Sequence, residues 1–318
     1  MRPTIVWPEL PYAAWRDTQV TLQLWTQIVG KIRLSRTPWL NHSWHVTLYV
    51  TSRGLTTSPI PHGERTFEIE FDFIAQQLVI DVSDGATRRI PLQPTTVADF
   101  YAAVMWSLTE LNLPVMINEL PCEIAGAIPF SDDQTHNAYD AEHAQRFWKA
   151  LVQIDRVFKQ FRTGFVGKAS PVHFFWGSFD LAVTRFSGRR APGFTGTAPG
   201  LDARVMQEAY SHEVSSAGFW PGGGGIDYPA FYSYAYPTPA EFSNHPIRHG
   251  AFNETLGEFI LPYADVRAAP DPDRMLLEFL QSTYEAAAET ARWQRSELEC
   301  PQGPVGSPAL PKPTVVRT

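Results

Sequence analysis

The chain has 318 residues, of which 44% are hydrophobic and 19% are charged, and its net charge is −7. This is the composition of a globular protein with enough chain for one large or two modest cores. The sequence contains no basic patch of the kind found in nucleic-acid binders, and no apolar run long enough to span a bilayer. We therefore expect neither nucleic-acid nor membrane partners. Two cysteines and the lack of a secretion signal at the start predict a cytoplasmic protein without a disulfide framework.

The first half of the chain alternates between helical and strand patterns. After an extended arm over residues 1–12, the apolar spacing predicts a helix over about 13–34. Alternation of apolar and polar residues then predicts strands in "HVTLYVT", "TFEIEFDF", "LVIDV" and "RRIPL". Thr96 is suited to cap the start of a second helix. We expect a first α+β unit over 13–118, followed by a linker over 119–139.

The second half repeats this order of elements. A helix over about 140–165 precedes a long apolar alternation over 173–190, interpreted as one strand, and a short helix in "LDARVMQEA". Further strands are predicted in "YSHEVSSAGFW", "FYSYAYP" and "GEFILPY", and an Asp-Pro pair marks the start of a last long helix. We expect a second α+β unit over 140–299 and a disordered Pro-rich tail over 300–318.

Matching segments in the two halves indicate an internal duplication. Residues 29–31 and 166–168 both read "VGK", and the predicted strands that follow contain "LYVT" and "LAVT". Because "TGFVGKAS" lacks the spacing of a phosphate-binding loop, Gly167 is interpreted as a helix C-cap. We therefore expect an α+β protein of two similar halves, with antiparallel sheets flanked by helices and a cleft between the halves.

Titratable side chains cluster on the predicted strands of the second half. Along 173–190, alternation places His173 and Arg185 at the ends of the core face, and Trp176 and Asp180 on the opposite face. Acid–base catalysis requires a carboxyl or imidazole group within reach of the substrate. The candidate catalytic residues are Glu213, His212, Asp180 and His173.

Aromatic and arginine side chains of the same strands are candidate substrate contacts. A row of tyrosines makes a poor dry core because each hydroxyl needs a partner, and it makes a good wall for a planar ligand. Arginines clamp carboxylates or phosphates. We expect a small-molecule ligand, anionic or aromatic, and the predicted substrate-binding residues are Arg185, Arg189, Trp176, Trp220, Tyr232, Tyr234 and Tyr236.

Three functions remain open at this point. The first is an enzyme that uses acid–base residues in an aromatic-lined cleft formed mainly by the second half, without a cofactor. The second is a metal-dependent enzyme; no zinc motif is present, and a metal would draw on His42, His45, His173 and His212. The third is a non-catalytic ligand-binding or assembly protein. The pattern favours no particular oligomeric state.

Four long motifs carry a resemblance to a known family. They read "GKIRL…NHSWHVTLYVTSRGLTT", "SPVHFFWGSFDLAVTRFSGR", "EAYSHEVSSAGFWPG" and "LQSTYEAAAETARW". Through them the chain, up to about Glu299, resembles a family of bacterial proteins known only as a domain of unknown function. The resemblance implies no activity, cofactor or catalytic residue.

Overall fold

The computed structural model describes residues 7–223 and 225–301. Within these residues the chain forms seven α-helices and two antiparallel sheets of six strands each. The predicted α+β class is confirmed. The predicted tail from residue 302 onward, and residues 1–6 of the predicted arm, lie outside the described residues. No helix in the described part is long and apolar enough to cross a membrane.

The first sheet is formed by the alternating segments of the first half. Its strands follow the order β1-β2-β4-β5-β6, and β3 pairs with β4. The side chains of Phe67, Ile69 and Phe71 are buried on one face of β4, as the alternation predicts. The elements of this half are α1 (Tyr12–Arg36), β1 (Tyr49–Val50), β2 (Gly54–Thr56), β3 (Ile60–His62), β4 (Arg65–Asp72), β5 (Gln77–Val82), β6 (Thr87–Pro91) and α2 (Val97–Glu110).

The second sheet is formed by the second half and has the order β11-β12-β10-β9-β8-β7. The helices α3 and α6 pack on one of its faces, where Leu181, Phe219 and Phe231 are buried. The elements of this half are α3 (Ala141–Arg162), β7 (His173–Phe175), β8 (Asp180–Arg190), α4 (Ala203–Ala209), β9 (His212–Trp220), β10 (Ala230–Tyr236), β11 (Ala251–Asn253), β12 (Glu258–Pro262), α5 (Tyr263–Ala268), α6 (Pro272–Thr290) and α7 (Arg295–Leu298).

The two sheets are joined and share one hydrophobic core. The backbones of Leu48 and Phe174 exchange two hydrogen bonds of 2.8 and 2.9 Å, which link the end of one sheet to the end of the other. Most of α1 is buried, including polar residues such as Gln27 and Lys31. A helix buried on more than one side cannot show the simple apolar stripe of a surface helix. Its polar residues must therefore have partners inside the protein.

The predicted strand over 173–190 is wrong at one point, because a turn at 176–179 divides it into β7 and β8. The two strands pair with each other, so that His173 lies opposite Ala182 and Phe175 lies opposite Asp180. Paired residues point to the same face of a sheet. His173 therefore shares a face with Asp180 and does not lie on the core face where continuous alternation placed it.

The internal duplication is not confirmed. Residues 29–31 lie within the helix α1, whereas 166–168 lie in an irregular segment beyond the end of α3. Gly167 is not a helix C-cap, because α3 is capped by Thr163. The Asp-Pro pair and the helical pattern after it predict a last helix that runs to about Glu299, but α6 ends at Thr290 and α7 is a separate short helix.

Candidate functional site

A cavity of about 370 Å³ lies on the face of the second sheet opposite α3 and α6. Its floor consists of small side chains of β8 and β9, namely Ala182, Thr184 and Ser216. Thr184 and Ser216 are paired across the strands, and their hydroxyls lie 2.8 Å apart. Small residues at neighbouring positions of one face leave the space that a packed face would fill.

Large aromatic side chains form the walls of the cavity. The indole of Trp220 stacks on the ring of Tyr232, with 4.3 Å between ring centroids. Tyr234 lies next along β10, and its hydroxyl lies 3.0 Å from that of Tyr210. The aromatic lining residues are Trp39, Trp44, Phe175, Trp176, Phe186, Tyr210, Trp220, Tyr232 and Tyr234. Such walls favour a ligand with a flat or apolar body.

Three carboxyl groups line the cavity: those of Glu123, Asp180 and Glu258. Burial raises the pKa of each of them, and for Glu123 and Glu258 burial together with the charge of Asp180 raises the pKa to about 7. Like charges near one another in a poorly solvated site disfavour ionisation. Near neutral pH the cluster therefore holds protons that exposed carboxyls would have lost.

Asp180 is held by two hydroxyl donors. Ser178 donates a hydrogen bond to its Oδ1 and Tyr232 donates one to its Oδ2. Tyr232 lies on β10 and Asp180 on β8, so the phenol must cross β9 to reach the carboxyl group. It crosses at Gly218, where a Cβ would lie 2.3 Å from the tyrosine ring. The glycine therefore makes the hydrogen bond between Tyr232 and Asp180 possible.

Glu123 comes from the segment predicted as a linker, and α1 holds that segment in place. Gln27 exchanges two hydrogen bonds of 2.9 Å with the backbone N–H and carbonyl of Cys122. One turn further along α1, Lys31 donates to the carbonyl oxygens of Asn118, at 3.1 Å, and of Leu120. The first half of the chain thus places a carboxyl group in a cavity built mainly from the second half.

The same face of α1 also holds the turn between β7 and β8. Gln23 donates a 2.7 Å hydrogen bond to the carbonyl of Gly177. A Cβ at Gly177 would lie 2.0 Å from Oε1 of Glu123, so this glycine gives the carboxyl group its space. Gln23, Gln27 and Lys31 recur every four residues, and we call them the polar stripe of α1.

Trp176 lines the cavity and connects its wall to the first half. Its indole nitrogen donates a 2.7 Å hydrogen bond to the carbonyl of Val46. A Cβ at Gly30 would lie 2.2 Å from that nitrogen, so the glycine inside α1 is explained by close packing. A helix interior otherwise disfavours glycine.

His173 is the most buried titratable group of the cavity lining outside the carboxyl cluster. Its side chain is 1% exposed, and its Nδ1 has no hydrogen-bond partner among the described residues. Burial and the nearby charges of Arg162 and Arg33 lower its pKa to about 3, so the ring is neutral. An unpartnered buried nitrogen in a cavity wall is a potential contact for a ligand.

The helix α4 forms a roof over the cavity, and a short 3₁₀-helix at Asn41–Ser43 anchors it. The backbone N–H of His42 donates to both carboxylate oxygens of Glu208, at 2.7 and 2.9 Å. Val205, Met206 and Ala209 of α4 line the cavity. None of the residues of α4 is buried. With no buried residue, this element has little packing to resist displacement.

Arg185 does not lie in the cavity. It points to the helix-covered face of β8, where it is 1% exposed and donates a hydrogen bond to the carbonyl of Phe161. Its guanidinium lies 3.5 Å from the ring centroid of Phe161 and 4.4 Å from that of Tyr284. These contacts account for its burial as part of the core.

Glu213 and Arg189 also lie outside the cavity and pair with each other. The Arg189 guanidinium donates to Glu213 at 2.6 and 2.8 Å, and also to the carbonyl of Ala291 at 2.6 Å. The paired register of β8 and β9 places even-numbered residues of β9 on the cavity face, so Glu213 points the other way. The structure therefore does not bring the candidate catalytic residues Glu213 and His212 and the candidate substrate contact Arg185 together in one pocket.

His212 and Tyr236 lie near the cavity without lining it. Nδ1 of His212 lies 3.0 Å from the hydroxyl of Ser211. Tyr236 points to the same face as Tyr232 and Tyr234, as predicted, and its hydroxyl donates to the carbonyl of Pro192 at 3.0 Å. Both residues lie at the ends of their strands, beyond the small side chains of the floor.

The four histidines proposed for a metal are not gathered into one site. His42 and His173 line the cavity, whereas the ring of His45 packs at a tilt against that of Trp39, with 4.6 Å between ring centroids. Nδ1 of His42 lies 3.0 Å from the carbonyl of Ala209 and its Nε2 lies 2.7 Å from Nζ of Lys168. Over residues 7–223 and 225–301, no three His, Cys, Asp or Glu side chains are arranged to hold a metal ion.

Sequence reasoning missed two of the three carboxyl groups. Glu258 begins a predicted strand and looks like a solvated end residue, and Glu123 lies in a segment without periodicity. One signal was available for Glu258: it belongs to a strand whose following residues, Phe259, Ile260 and Leu261, are all apolar. A strand that is apolar on both faces is covered on both, so a carboxyl group in it is not simply solvated.

The fold and the cavity define an α+β protein with a carboxyl-rich, aromatic-lined cavity on one face of its second sheet. Residues 7–300 match the sequence model described as "Family of unknown function (DUF5996)". The chain belongs to this family, as the resemblance of its motifs indicated. No curated protein and no solved structure matches the chain.

Proposed function

We propose that this protein is an enzyme that binds a small molecule in the cavity and transfers a proton to or from it. The observation that carries the proposal is the meeting of Glu123, Asp180 and Glu258 in one aromatic-lined cavity. Clusters of carboxyl groups with shifted pKa values are characteristic of catalytic sites, although structural ion pairs can also shift them. Here the described residues form no salt bridge with any of the three carboxyls.

The roles of the three groups follow from their surroundings. Asp180 accepts two hydrogen bonds, which favour its ionised form and oppose the effect of burial. Glu123 and Glu258 have pKa values of about 7, so near neutral pH each is present in both protonated and ionised forms. A group that titrates near the working pH can donate a proton in one step and accept it in another. We assign Glu258 and Glu123 as the acid and base, and Asp180 with Tyr232 as the group that holds the substrate between them.

The experiment does not require a known substrate. The purified full-length chain is incubated in D₂O with a mixture of cell metabolites, which is then analysed by mass spectrometry. We expect at least one compound to gain deuterium or to be consumed with the wild-type protein, and to remain unchanged with Asp180→Asn. Glu213→Gln is the matched control, because Glu213 is paired with Arg189 outside the cavity and should leave the reaction intact.

Two outcomes contradict the proposal. If no compound changes in the presence of the wild-type protein, the protein is not an enzyme of this kind. If Asp180→Asn retains the reaction while Glu213→Gln loses it, the chemistry lies at the Glu213–Arg189 pair. A compound that is retained by the protein without chemical change would favour the non-catalytic binding function.

A further inference from the structure

We infer that the cavity takes a small organic cation, such as a protonated amine or a quaternary ammonium compound, with its positive group among the three carboxyls and its apolar part against the aromatic walls. This inference rests on the proposed function, because it assigns the substrate class of the same cavity. It differs from the anionic ligand that the sequence predicts from its arginines, because Arg185 and Arg189 lie outside the cavity.

The charge of the cavity favours a cation. Among the described lining residues, the groups that carry a formal charge are the carboxyls of Glu123, Asp180 and Glu258, and no lysine or arginine is present. Oε2 of Glu258 is buried and has no hydrogen-bond partner among the described residues. The ammonium of Lys168 packs against the lining rings of His42, Trp44 and Phe186 without itself lining the cavity. At the carboxyl cluster an anionic ligand would meet three acidic groups, whereas a cation would supply the partner that these groups lack.

The walls of the cavity also suit a cation. The faces of tryptophan and tyrosine rings attract positive charge through the ring quadrupole, most strongly where water is excluded. Trp220 and Tyr232 are stacked beside Asp180. Tyr234 follows on the same face of β10, and Glu258 lies on the neighbouring strand β12. The aromatic rings of β9 and β10 therefore lie between the strands that carry Asp180 and Glu258.

A second, independent observation indicates that the space is built for a ligand. His173 is 1% exposed and lines the cavity, and its Nδ1 has no partner within the described protein. Neutral imidazole nitrogen can accept or donate a hydrogen bond. A ligand with a polar substituent would satisfy this nitrogen across a floor made of Ala182 and Thr184.

The test compares three probes that share a phenyl ring and differ in charge: benzylammonium, benzyl alcohol and benzoate. Binding to the full-length chain is measured by isothermal titration calorimetry above neutral pH. We expect benzylammonium to bind at least about tenfold more tightly than benzyl alcohol, and benzoate to bind most weakly. Equal affinities, a preference for benzoate, or no binding of benzylammonium would overturn the inference.

Two variants locate the effect. Glu258→Gln should reduce the preference for benzylammonium over benzyl alcohol by about tenfold while leaving the affinity for benzyl alcohol unchanged, which also shows that the variant is folded. Glu213→Gln should keep the full preference, and loss of the preference in this variant alone would contradict the assignment.

The failure of this inference can be distinguished from the failure of the proposed function. Selective binding of the cation without any reaction in the D₂O experiment would contradict the enzymatic function and support the cationic ligand. A neutral or anionic reacting compound would support the enzymatic function and contradict the cationic ligand.

Discussion

The two faces of β8 show two ways of burying a charged residue. Arg185 points towards α3 and α6, where a carbonyl oxygen and three aromatic rings surround its guanidinium. Asp180 points towards the cavity, where small side chains leave open space and two further carboxyls face the same volume. The first charge is enclosed by its partners, whereas the second is held beside a space that a ligand can enter. A buried charged residue therefore indicates a candidate binding site only where open space remains beside the charged group.

The largest effect is expected from Arg185→Ala. Removing this side chain leaves a cavity among aromatic rings and an unpaired carbonyl oxygen at Phe161, which should lower the free energy of unfolding by about 3–5 kcal/mol. Chemical denaturation measures the change. A loss below about 1 kcal/mol would mean that the helix-covered face does not depend on this arginine, and the contrast between the two faces would fail.

Gly218→Ala tests the path by which Tyr232 reaches Asp180. The added methyl group would lie 2.3 Å from the phenol ring, so the ring must move and its hydrogen bond to Asp180 should be lost. We expect a loss of stability of about 2–3 kcal/mol and a loss of ligand binding. Gly193→Ala is the control, because nothing lies within 4 Å of the added atom there. Unchanged binding in Gly218→Ala would show that the tyrosine does not shape the site.

The carboxyl cluster should make stability depend on pH. Burial and the charge of Asp180 raise the pKa of Glu258 from 4.5 to about 7 in the folded protein, so its protonated form is favoured by folding. This contribution is fully present below about pH 4.5 and is lost as the pH rises through about 7. Glu258→Gln, which cannot ionise, should become more stable than the wild type by about 2 kcal/mol above that pH.

Glu258→Gln is compared with the wild type at each pH because the titration of buried histidines changes the free energy of unfolding in the opposite direction. The pKa of His173 is lowered to about 3, so its contribution is present at high pH and is lost as the pH falls. Because both proteins contain His173, its contribution cancels in the difference between their free energies of unfolding. A difference that does not change between about pH 4.5 and 7 would show that Glu258 is not held among like charges.

The smallest effect is expected from Asp180→Asn, and its sign distinguishes the two faces. Burial raises the pKa of Asp180, so the ionised group costs stability, and the amide should increase it by about 1 kcal/mol at neutral pH while abolishing function. Thermal unfolding together with the D₂O experiment measures both effects. A destabilised but active variant would assign Asp180 the structural role that we give to Arg185.

The sequence predicted the elements better than it predicted the faces. Alternation placed Trp176 and Asp180 away from the core, and it aligned the tyrosines of β10 on one face. It failed at His173 because a turn at 176–179 changes the phase of the strand, and no periodic signal marks such a turn. It failed at Glu213 because strand register, which decides the face of each residue, depends on pairing between distant segments.

Other features of the site could not be predicted from local patterns at all. Glu123 reaches the cavity through hydrogen bonds between α1 and a segment without periodicity, and such long-range partners leave no mark on neighbouring residues. Backbone freedom did not explain the glycines of the two "VGK" segments: Gly167, predicted to be a helix C-cap, lies in an irregular segment, and Gly30 inside α1 admits the indole of Trp176. Only the packing shows the role of Gly30.

The polar stripe of α1 has a consequence for anyone who selects variants of this protein with altered ligand preference. Gln23, Gln27 and Lys31 bond to the backbones of the turn and the segment that flank the acidic cluster. Substitutions in the polar stripe would shift the position of a carboxyl group slightly without changing any residue that contacts the ligand. We expect such a selection to return mutations in this buried helix, although none of the substituted residues would contact the ligand.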